Sequence, residues 1–151
     1  MLGTWFGVGL LPAMPGSWAS LAALPCAWVI HAEYGRIGLA AAIVIIFAVG
    51  CWAAELIAKA SAAKDPAMIV VDEVAGQWLV LSTVPCDLVS YLLAFIMFRI
   101  FDIWKPWPVH WVDRHMRGGL GIMLDDLLAA VYAGLVLLVL LTIGGAFGVR
   151  S

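Results

Sequence analysis

The segment LLAAVYAGLVLLVLLTIGGAFGV, residues 127–149, carries no charged side chain. A helix rises about 1.5 Å per residue, so this segment is long enough to cross the roughly 30 Å hydrocarbon core of a bilayer. Residues 37–54 form a second segment without any charge. These two segments are the clearest candidates for membrane spans, and they indicate a helical membrane protein.

The composition of the chain agrees with this interpretation. Of its 151 residues, 65% are hydrophobic and 12% are charged, whereas a soluble domain is about 45–50% apolar and about 25% charged. Three shorter apolar segments, residues 17–30, 74–84 and 88–100, are candidates for helices that cross the membrane or re-enter it. We therefore predict an all-α fold: a small helical integral membrane protein, one domain over residues 1–151, with about three to five spanning or re-entrant helices.

The connections between these segments predict the orientation in the membrane. If all five segments cross or re-enter, one side of the membrane holds the N-terminal loop, residues 55–71 and residues 99–126. Six of the eight Lys and Arg residues are then on that side, which leaves Arg36 and Arg150 on the other. Because cytoplasmic loops are enriched in Lys and Arg, we predict that the first side faces the cytoplasm. There is no basic run or basic face, so no nucleic acid partner is predicted, and the oligomeric state stays unknown.

Acidic residues gather in or beside apolar segments on this predicted cytoplasmic side. A carboxylate at membrane depth is costly unless it pairs, binds a metal or reaches water. Adjacent carboxylates repel each other, and a divalent cation relieves that repulsion. Oxygen ligands without a His or Cys cluster favour Mg²⁺. We predict catalytic carboxylates that bind Mg²⁺ at Asp72, Glu73, Asp102 and Asp126, joined by Asp125. Acids that only stabilise helix N-termini are the alternative for each adjacent pair.

Two glycine-containing stretches accompany these acids. Residues 118–121 read Gly-Gly-Leu-Gly and predict a turn, after which Asp125 and Asp126 open the last span. Glycines there permit the backbone to approach a bound phosphate. Near the N-terminus, a Gly/Pro-rich loop ends at Ser17, which is expected to cap the first helix. Helix N-termini bind anions, so Gly16 and Ser17 are candidate phosphate contacts, with an ordinary capped loop as the alternative.

Two cations lie near the acidic residues in the sequence. Arg99, Asp102 and Lys105 recur at i, i+3 and i+6, so they can share one helical face until Pro106 ends the helix. We interpret Arg99 and Lys105 as phosphate contacts, because a guanidinium grips phosphate in a fork and an ammonium acts as a point charge. A ladder of ion pairs at the membrane interface is the alternative. Asp113 is assigned to local ion pairs.

Four motifs resemble bacterial phosphatidylglycerophosphatase A, and they occur in the order of that family over almost the whole length. They are GLLPAMPGS at residues 9–17, VVDEVAG at 70–76, FRIFDIWKPWP at 98–108 and GGLGIMLDD at 118–126. Ser17 stands where members of the family often have threonine, so a hydroxyl is kept.

The resemblance implies an enzyme of the bacterial inner (cytoplasmic) membrane. It would be a multi-pass, Mg²⁺-dependent phosphatase whose active site faces the cytoplasm. Its substrate would be the phospholipid phosphatidylglycerophosphate, hydrolysed to phosphatidylglycerol and inorganic phosphate in the last step of phosphatidylglycerol synthesis. Attack by a metal-bound water and an aspartyl-phosphate intermediate both remain open.

Three other functions are weighed against this one. A small membrane transporter or channel with an acidic cation site would spread its acids across the membrane depth. A non-catalytic membrane scaffold would not need two adjacent acid pairs together with Arg and Lys. The signature of phosphatidyltransferases that act on CDP-alcohol lipids is absent from the sequence. A lipid phosphatase is therefore the favoured interpretation.

Overall fold

The computed structural model describes residues 14–60, 69–116 and 118–146 of the chain. Within these ranges the structure is helical and contains no strand, and its elements follow in the order α1 (Pro15–Ala60), α2 (Val71–Leu81), α3 (Leu88–Trp104), α4 (Val109–His115) and α5 (Gly118–Ala146). The predicted all-α fold is confirmed.

Helix α1 consists of two helical segments that meet at Gly35. This residue has φ 65° and ψ −166°, a conformation that glycine adopts readily and residues with a side chain do not. Gly16, in the first turn of α1, lies against Glu73, and Gly50, in its second segment, lies against Val71. Both partners are at the start of α2, so the chain reverses direction at Gly35. The break predicted between the first two apolar segments is confirmed.

The later helices alternate in direction. Helix α2 runs parallel to the first segment of α1, and the indole Nε1 of Trp78 donates a 3.0 Å hydrogen bond to the carbonyl oxygen of Ala23. Residues 82–87 reverse the chain, and α3 returns towards the first end. Helix α5 begins beside Glu55 and passes Thr83, beyond the end of α2. The connections predicted to share one side therefore lie at one end of the bundle, as far as the structure describes them.

The surface of the bundle is apolar. Two helical stretches, Pro15–Ile57 and Gly118–Ile143, are long and apolar enough to cross a membrane. Soluble proteins rarely expose large contiguous apolar patches, but here large side chains are exposed along the outer faces of several helices, among them Val44, Ile45, Leu92, Leu93, Leu135 and Val139. Small residues fill the contacts between helices, as in membrane helix bundles: Ala19, Ala23, Ala27, Ala129, Ala130 and Ala133. The protein is a small helical membrane protein.

The expected cap at Ser17 is wrong. Helix α1 begins at Pro15, and the backbone N–H of Ser17 donates a 3.0 Å hydrogen bond to the carbonyl oxygen of Met14. Proline suits the first position of a helix because its fixed φ is helical and its missing N–H would have no partner there. Ser17 therefore lies inside the first turn.

The expected glycine-rich turn before the last span is also wrong. Residues 118–121 are already helical, so Asp125 and Asp126 lie about two turns inside α5. A Cβ on Gly119 would overlap the backbone of Cys51, and a Cβ on Gly121 would crowd Met116. These glycines allow helices to pack closely, rather than forming a turn around a phosphate.

Candidate active site

A cavity of about 430 Å³ lies at the end of the bundle where α1 and α2 begin and α3 ends. Its wall includes every residue that the sequence predicted for the site: Gly16, Ser17, Asp72, Glu73, Arg99, Asp102, Lys105, Asp125 and Asp126. Sequence reasoning did not select four further lining residues, Met14, Pro15, Ile69 and Ile103. Three of them, Met14, Pro15 and Ile103, lie within the quoted motifs, but none of the four has a charged or polar side chain that would mark it as a site residue. The structure thus brings four separate stretches of the chain to one place.

Asp72, Glu73 and Asp126 form the acidic centre of the cavity. One carboxylate oxygen from each lies within 4.8 Å of the others. Asp72 and Asp126 are buried. Oε2 of Glu73 and Oδ2 of Asp126 are also buried, and neither accepts a hydrogen bond from any residue that the structure describes. Buried carboxylate oxygens without a donor are costly, so this centre requires either a bound cation or bound protons.

The electrostatics of Glu73 agree with that requirement. Burial, and after it the nearby charge of Asp126, raises the pKa of Glu73 to about 8. Helix α2 has 11 residues and is too short to span a bilayer, so Glu73 lies at the polar end rather than inside a span. An oxygen-only set of three close carboxylates is a donor set that Mg²⁺ uses. The residues present therefore fit the predicted metal.

Asp102 is placed beside the acidic centre, in an ion pair with Arg99. The distance between Oδ2 of Asp102 and Nη1 of Arg99 is 2.5 Å. Nε of Arg99 is buried and donates no hydrogen bond within the ranges that the structure describes, so the guanidinium keeps capacity for a further anion. The predicted role of Asp102 as a direct metal ligand stays a prediction, because the three close carboxylates do not include it.

Lys105 reaches the cavity by a route that differs from the predicted one. Helix α3 ends at Trp104, and Lys105 caps it in the left-handed conformation, with φ 44° and ψ 63°. Its Nζ lies 2.6 Å from Oδ2 of Asp125 and 3.0 Å from Oδ1 of Asp113. Burial disfavours the charged ammonium, but these two carboxylates outweigh it and raise the pKa of Lys105 above its usual value. Lys105 therefore stays positively charged in the cavity.

The glycine of the first turn determines how α1 meets the acidic centre. A Cβ built on Gly16 would overlap the carboxylate of Glu73. Only a residue without a side chain lets the start of α1 lie directly against this acid. Gly76 acts similarly on the next turn after Asp72, where its missing side chain makes room for the ring of Phe98 and the carbonyl oxygen of Asp126. Helices α3 and α5 therefore approach α2 closely at Gly76.

The family model for phosphatidylglycerophosphatase A matches residues 1–141 of the chain. The chain belongs to this family. A phosphatidylglycerophosphatase A from Escherichia coli is 36% identical over 139 residues, covering 87% of this chain and 76% of the relative. One from Haemophilus influenzae is 35% identical over 137 residues, covering 90% and 84%.

A third relative has a similar percentage identity to this chain but bears a different name. It is a Bacteroides thetaiotaomicron protein, provisionally named phosphatidylinositol-3-phosphatase, which is 38% identical over 143 residues and covers 88% of this chain and 87% of its own length. No solved structure matches the chain. The match to the phosphatidylglycerophosphatase A family includes every residue of the cavity wall, since the last of them is Asp126.

Asp113 lies near the site, and its ion pair with Lys105 was not predicted from the sequence. Its carboxylate shares the Lys105 ammonium with Asp125, and this contact connects Asp113 to the cavity. The contact depends on the left-handed residue at position 105 and on the turn at residues 106–108. Pro106 and Pro108 mark a turn in the sequence, but no spacing or hydrophobic period indicates that this turn brings Asp113 to Lys105.

Proposed function

We propose that this protein is a phosphatidylglycerophosphatase that hydrolyses phosphatidylglycerophosphate to phosphatidylglycerol and inorganic phosphate. The observation that carries the proposal is a buried acidic centre facing two cations, at one end of an apolar helical bundle, in a chain of the phosphatidylglycerophosphatase A family. This arrangement lets the acyl chains of a lipid stay in the membrane while its phosphate enters a polar cavity. Two relatives that bear the enzyme's name support the choice of substrate.

The transporter or channel alternative finds no support in the distribution of the acids. The described carboxylates of the cavity gather at one end of the bundle, and α5 has no charged side chain from residue 127 to residue 143. An ion path would place polar groups along the membrane depth.

We further propose Mg²⁺ as the cofactor, held by Asp72, Glu73 and Asp126, with Asp102 as a fourth candidate ligand. When bound, the ion would neutralise the phosphomonoester and polarise its P–O bonds. The support for this proposal is the close spacing of the three carboxylates, together with the buried oxygens of Glu73 and Asp126 that accept no hydrogen bond from the residues that the structure describes.

The two cations of the cavity are proposed to hold the phosphate. Arg99 offers its unused Nε and is oriented by Asp102, while Lys105 is oriented by Asp125 and Asp113. Negative charge builds up on the phosphate oxygens in the transition state, and preorganised donors stabilise it without reorganisation. Gly16 and Ser17 place the positive end of α1 at the same cavity, where an anion is favoured.

A carboxylate of the site would act either as a base or as a nucleophile. In the first case it accepts a proton from the water that attacks phosphorus, and in the second it attacks phosphorus itself and is later released by water. Rapid acid quench of the enzyme with ³²P-labelled substrate separates the two: label on the protein supports the covalent route, and label only in phosphate supports direct attack by water.

The decisive test is phosphate release by the purified protein in mixed micelles. We expect release from phosphatidylglycerophosphate, loss of activity in EDTA and recovery with Mg²⁺. Phosphatidylinositol 3-phosphate and phosphatidic acid serve as competing substrates, since one relative bears the name of a phosphatidylinositol-3-phosphatase. A higher kcat/KM for either of these lipids, or full activity in EDTA, would contradict the proposal.

A further inference from the structure

Two apolar grooves adjoin the polar cavity. The first has a volume of about 670 Å³ and runs along the outer face of α3, lined by Phe95, Ile96, Arg99, Ile100, Ile103 and Trp104. The second has a volume of about 320 Å³ and lies between α1 and α3, lined by Met14, Ser17, Trp18, Leu21 and Phe95. Except at Arg99 and Ser17, both grooves are walled by apolar or aromatic side chains.

The three spaces are neighbours that share lining residues. The polar cavity shares Arg99 and Ile103 with the first groove, and it shares Met14 and Ser17 with the second. The two grooves share Phe95. A molecule with one polar head and two apolar tails could therefore occupy all three at once.

The second groove lies at the seam between α1 and α3, and the first lies beside it along the outer face of α3. Among the helix pairs that touch within the described ranges of the chain, α1 and α3 share the smallest contact. The outer walls of the seam are side chains such as Trp18, Leu21, Ile96 and Ile103, and all four are exposed on the lipid-facing surface. A lipid can thus reach the cavity sideways from the membrane without leaving it.

Arg99 marks the boundary between the head group and the tails. It lines both the polar cavity and the first groove, and its guanidinium pairs with Asp102 in the cavity. An arginine commonly lays its aliphatic stem along apolar surface while its charged head stays in a polar region. The phosphate of a lipid at this residue would face the acidic centre, and its glycerol backbone would lie near the seam.

We propose that the two grooves bind the two acyl chains of the substrate, which enters laterally between α1 and α3. This inference rests on the proposed function, because it takes the occupant to be a diacyl lipid with a terminal phosphomonoester. The first groove holds one chain against Ile96 and Ile100, and the second holds the other against Trp18 and Leu21. The enzyme then selects its substrate by its tails as well as by its phosphate.

Photo-crosslinking tests the grooves without requiring turnover. The probe is phosphatidylglycerophosphate with a diazirine in one acyl chain, and the control is phosphatidylcholine with the same diazirine, which labels all lipid-facing surfaces. We expect the first probe to label residues 17–21 and 95–104 in excess over the control, and unlabelled phosphatidylglycerophosphate to compete with it. Equal labelling by the two probes would overturn the proposal.

Groove-filling variants provide the functional test. Ile96→Trp obstructs the first groove and Leu21→Trp the second, whereas Leu92→Trp and Val44→Trp are matched controls at exposed positions that line neither groove. The readout is the ratio of kcat/KM for the diacyl lipid to kcat/KM for its deacylated head group. We expect this ratio to fall about tenfold in the two groove variants and to keep the wild-type value in the two controls.

The outcomes separate the two proposals. If the groove variants keep the wild-type ratio, or lose activity on both substrates equally, the acyl chains do not bind in these grooves. If the wild-type protein releases no phosphate from either substrate, the proposed function fails, and crosslinking still shows whether a diacyl phospholipid with a phosphomonoester occupies the grooves.

Discussion

Gly16 and Glu73 show how one missing side chain shapes the cavity. The first turn of α1 lies against the Glu73 carboxylate, in space that a Cβ would occupy. Glu73 is in turn one of three carboxylates whose oxygens lie within 4.8 Å of one another. The distance between α1 and the acidic centre therefore depends on the absence of a side chain at position 16.

We expect Gly16→Ala to reduce phosphatase activity by at least about tenfold while the protein still folds. The end of the Glu73 side chain can move to avoid the new methyl group, but it then leaves its position in the acidic centre. Phosphate release and thermal unfolding of the purified variant measure the two effects. In the double variant Gly16→Ala/Glu73→Asp the shorter acid makes room, so the combined loss should be smaller than the sum of the single losses. Full activity in Gly16→Ala would show that Glu73 need not hold its position.

The variant Asp126→Asn should change catalytic activity and thermal stability in opposite directions. We expect activity to fall by at least about 100-fold, since even a partner outside the ligand set contributes 10–100-fold at metal sites. In EDTA, however, the variant should unfold at a higher temperature than the wild type, because one carboxylate of a mutually repelling buried cluster is gone. Mg²⁺ should then stabilise the wild type more than the variant.

Asp113→Asn is the matched control for this experiment. It removes a carboxylate near the cavity that pairs with Lys105 but is not one of the three close acids. Its response to Mg²⁺ should resemble that of the wild type. Equal Mg²⁺ stabilisation of the wild type and Asp126→Asn would place the metal elsewhere.

The grouping of the nine selected residues around one cavity could be predicted from sequence, whereas their ion-pair partners could not, and their catalytic and binding roles stay predictions. Each of the nine selected residues belongs to a motif with a charge or a glycine in an apolar setting, and all nine line the cavity. The pairing of Lys105 with Asp125 and Asp113, in contrast, depends on a left-handed residue after α3. Such a local backbone conformation has no signature in the hydrophobic pattern.

At the scale of elements, the ends of the helices rather than their apolar centres determine the arrangement of the bundle. Helix α3 starts at Leu88, where the Asp87 side chain accepts hydrogen bonds from the backbone N–H of Ser90 at 2.9 Å and from its hydroxyl at 2.7 Å. These two hydrogen bonds hold the pKa of Asp87 below its usual value. The cap at Asp87 ends the turn of residues 82–87 and determines the residue at which α3 begins.

We expect Asp87→Ala to lower the free energy of unfolding by about 1 kcal/mol, the usual effect of losing a helix cap. The folded-state pKa of Asp87 is lowered, so the stabilising contribution is present above the unfolded-state pKa and disappears as the pH falls through the folded-state pKa. The stability difference between wild type and variant should therefore vanish in acid, well below about pH 4. Unfolding in detergent at several pH values measures this difference.

Asp87→Asn is the matched control because asparagine also caps helices. We expect it to keep most of the stability at neutral pH and to lose the pH dependence. A difference between the wild type and Asp87→Ala that is the same in acid as at neutral pH would contradict the capping role.

The existence of α1, α2, α3 and α5 could be predicted from sequence, whereas α4 and the starts of α1 and α5 were not. Uncharged segments separated by polar residues identify helices because burying the apolar residues dominates the free energy. The start of α1 depends on a proline at position 15, and the start of α5 depends on how closely Gly119 can approach Cys51 in another helix. The second of these is a tertiary contact, which one sequence does not display.

At the scale of the whole molecule, the charges are distributed unequally between the two ends. Of the Lys and Arg residues whose side chains the structure describes, Arg99, Lys105 and Arg114 lie at the end with the cavity, while Arg36 lies at the other, beside the reversal at Gly35. The positive-inside rule places the cavity on the cytoplasmic side, which stays a prediction together with the inner-membrane location.

Labelling of single cysteines in intact cells tests this orientation. In a background without Cys26, Cys51 and Cys86, we expect a membrane-impermeant maleimide to label Tyr34→Cys from outside. His110→Cys, exposed at the cavity end, should be labelled only after the inner membrane is opened. The reverse pattern would place the cavity on the outer side of the membrane.

The two reversals at the far end of the bundle have a consequence for biosynthesis. One is the single kink at Gly35, and the other is the short turn of residues 82–87. These reversals would bring few charged side chains through the lipid during insertion: Glu33, Arg36 and Asp87. Because translocating a charged side chain is costly, the helices on either side of each reversal can insert as pairs. The polar segments that form the cavity would then never need to be exported.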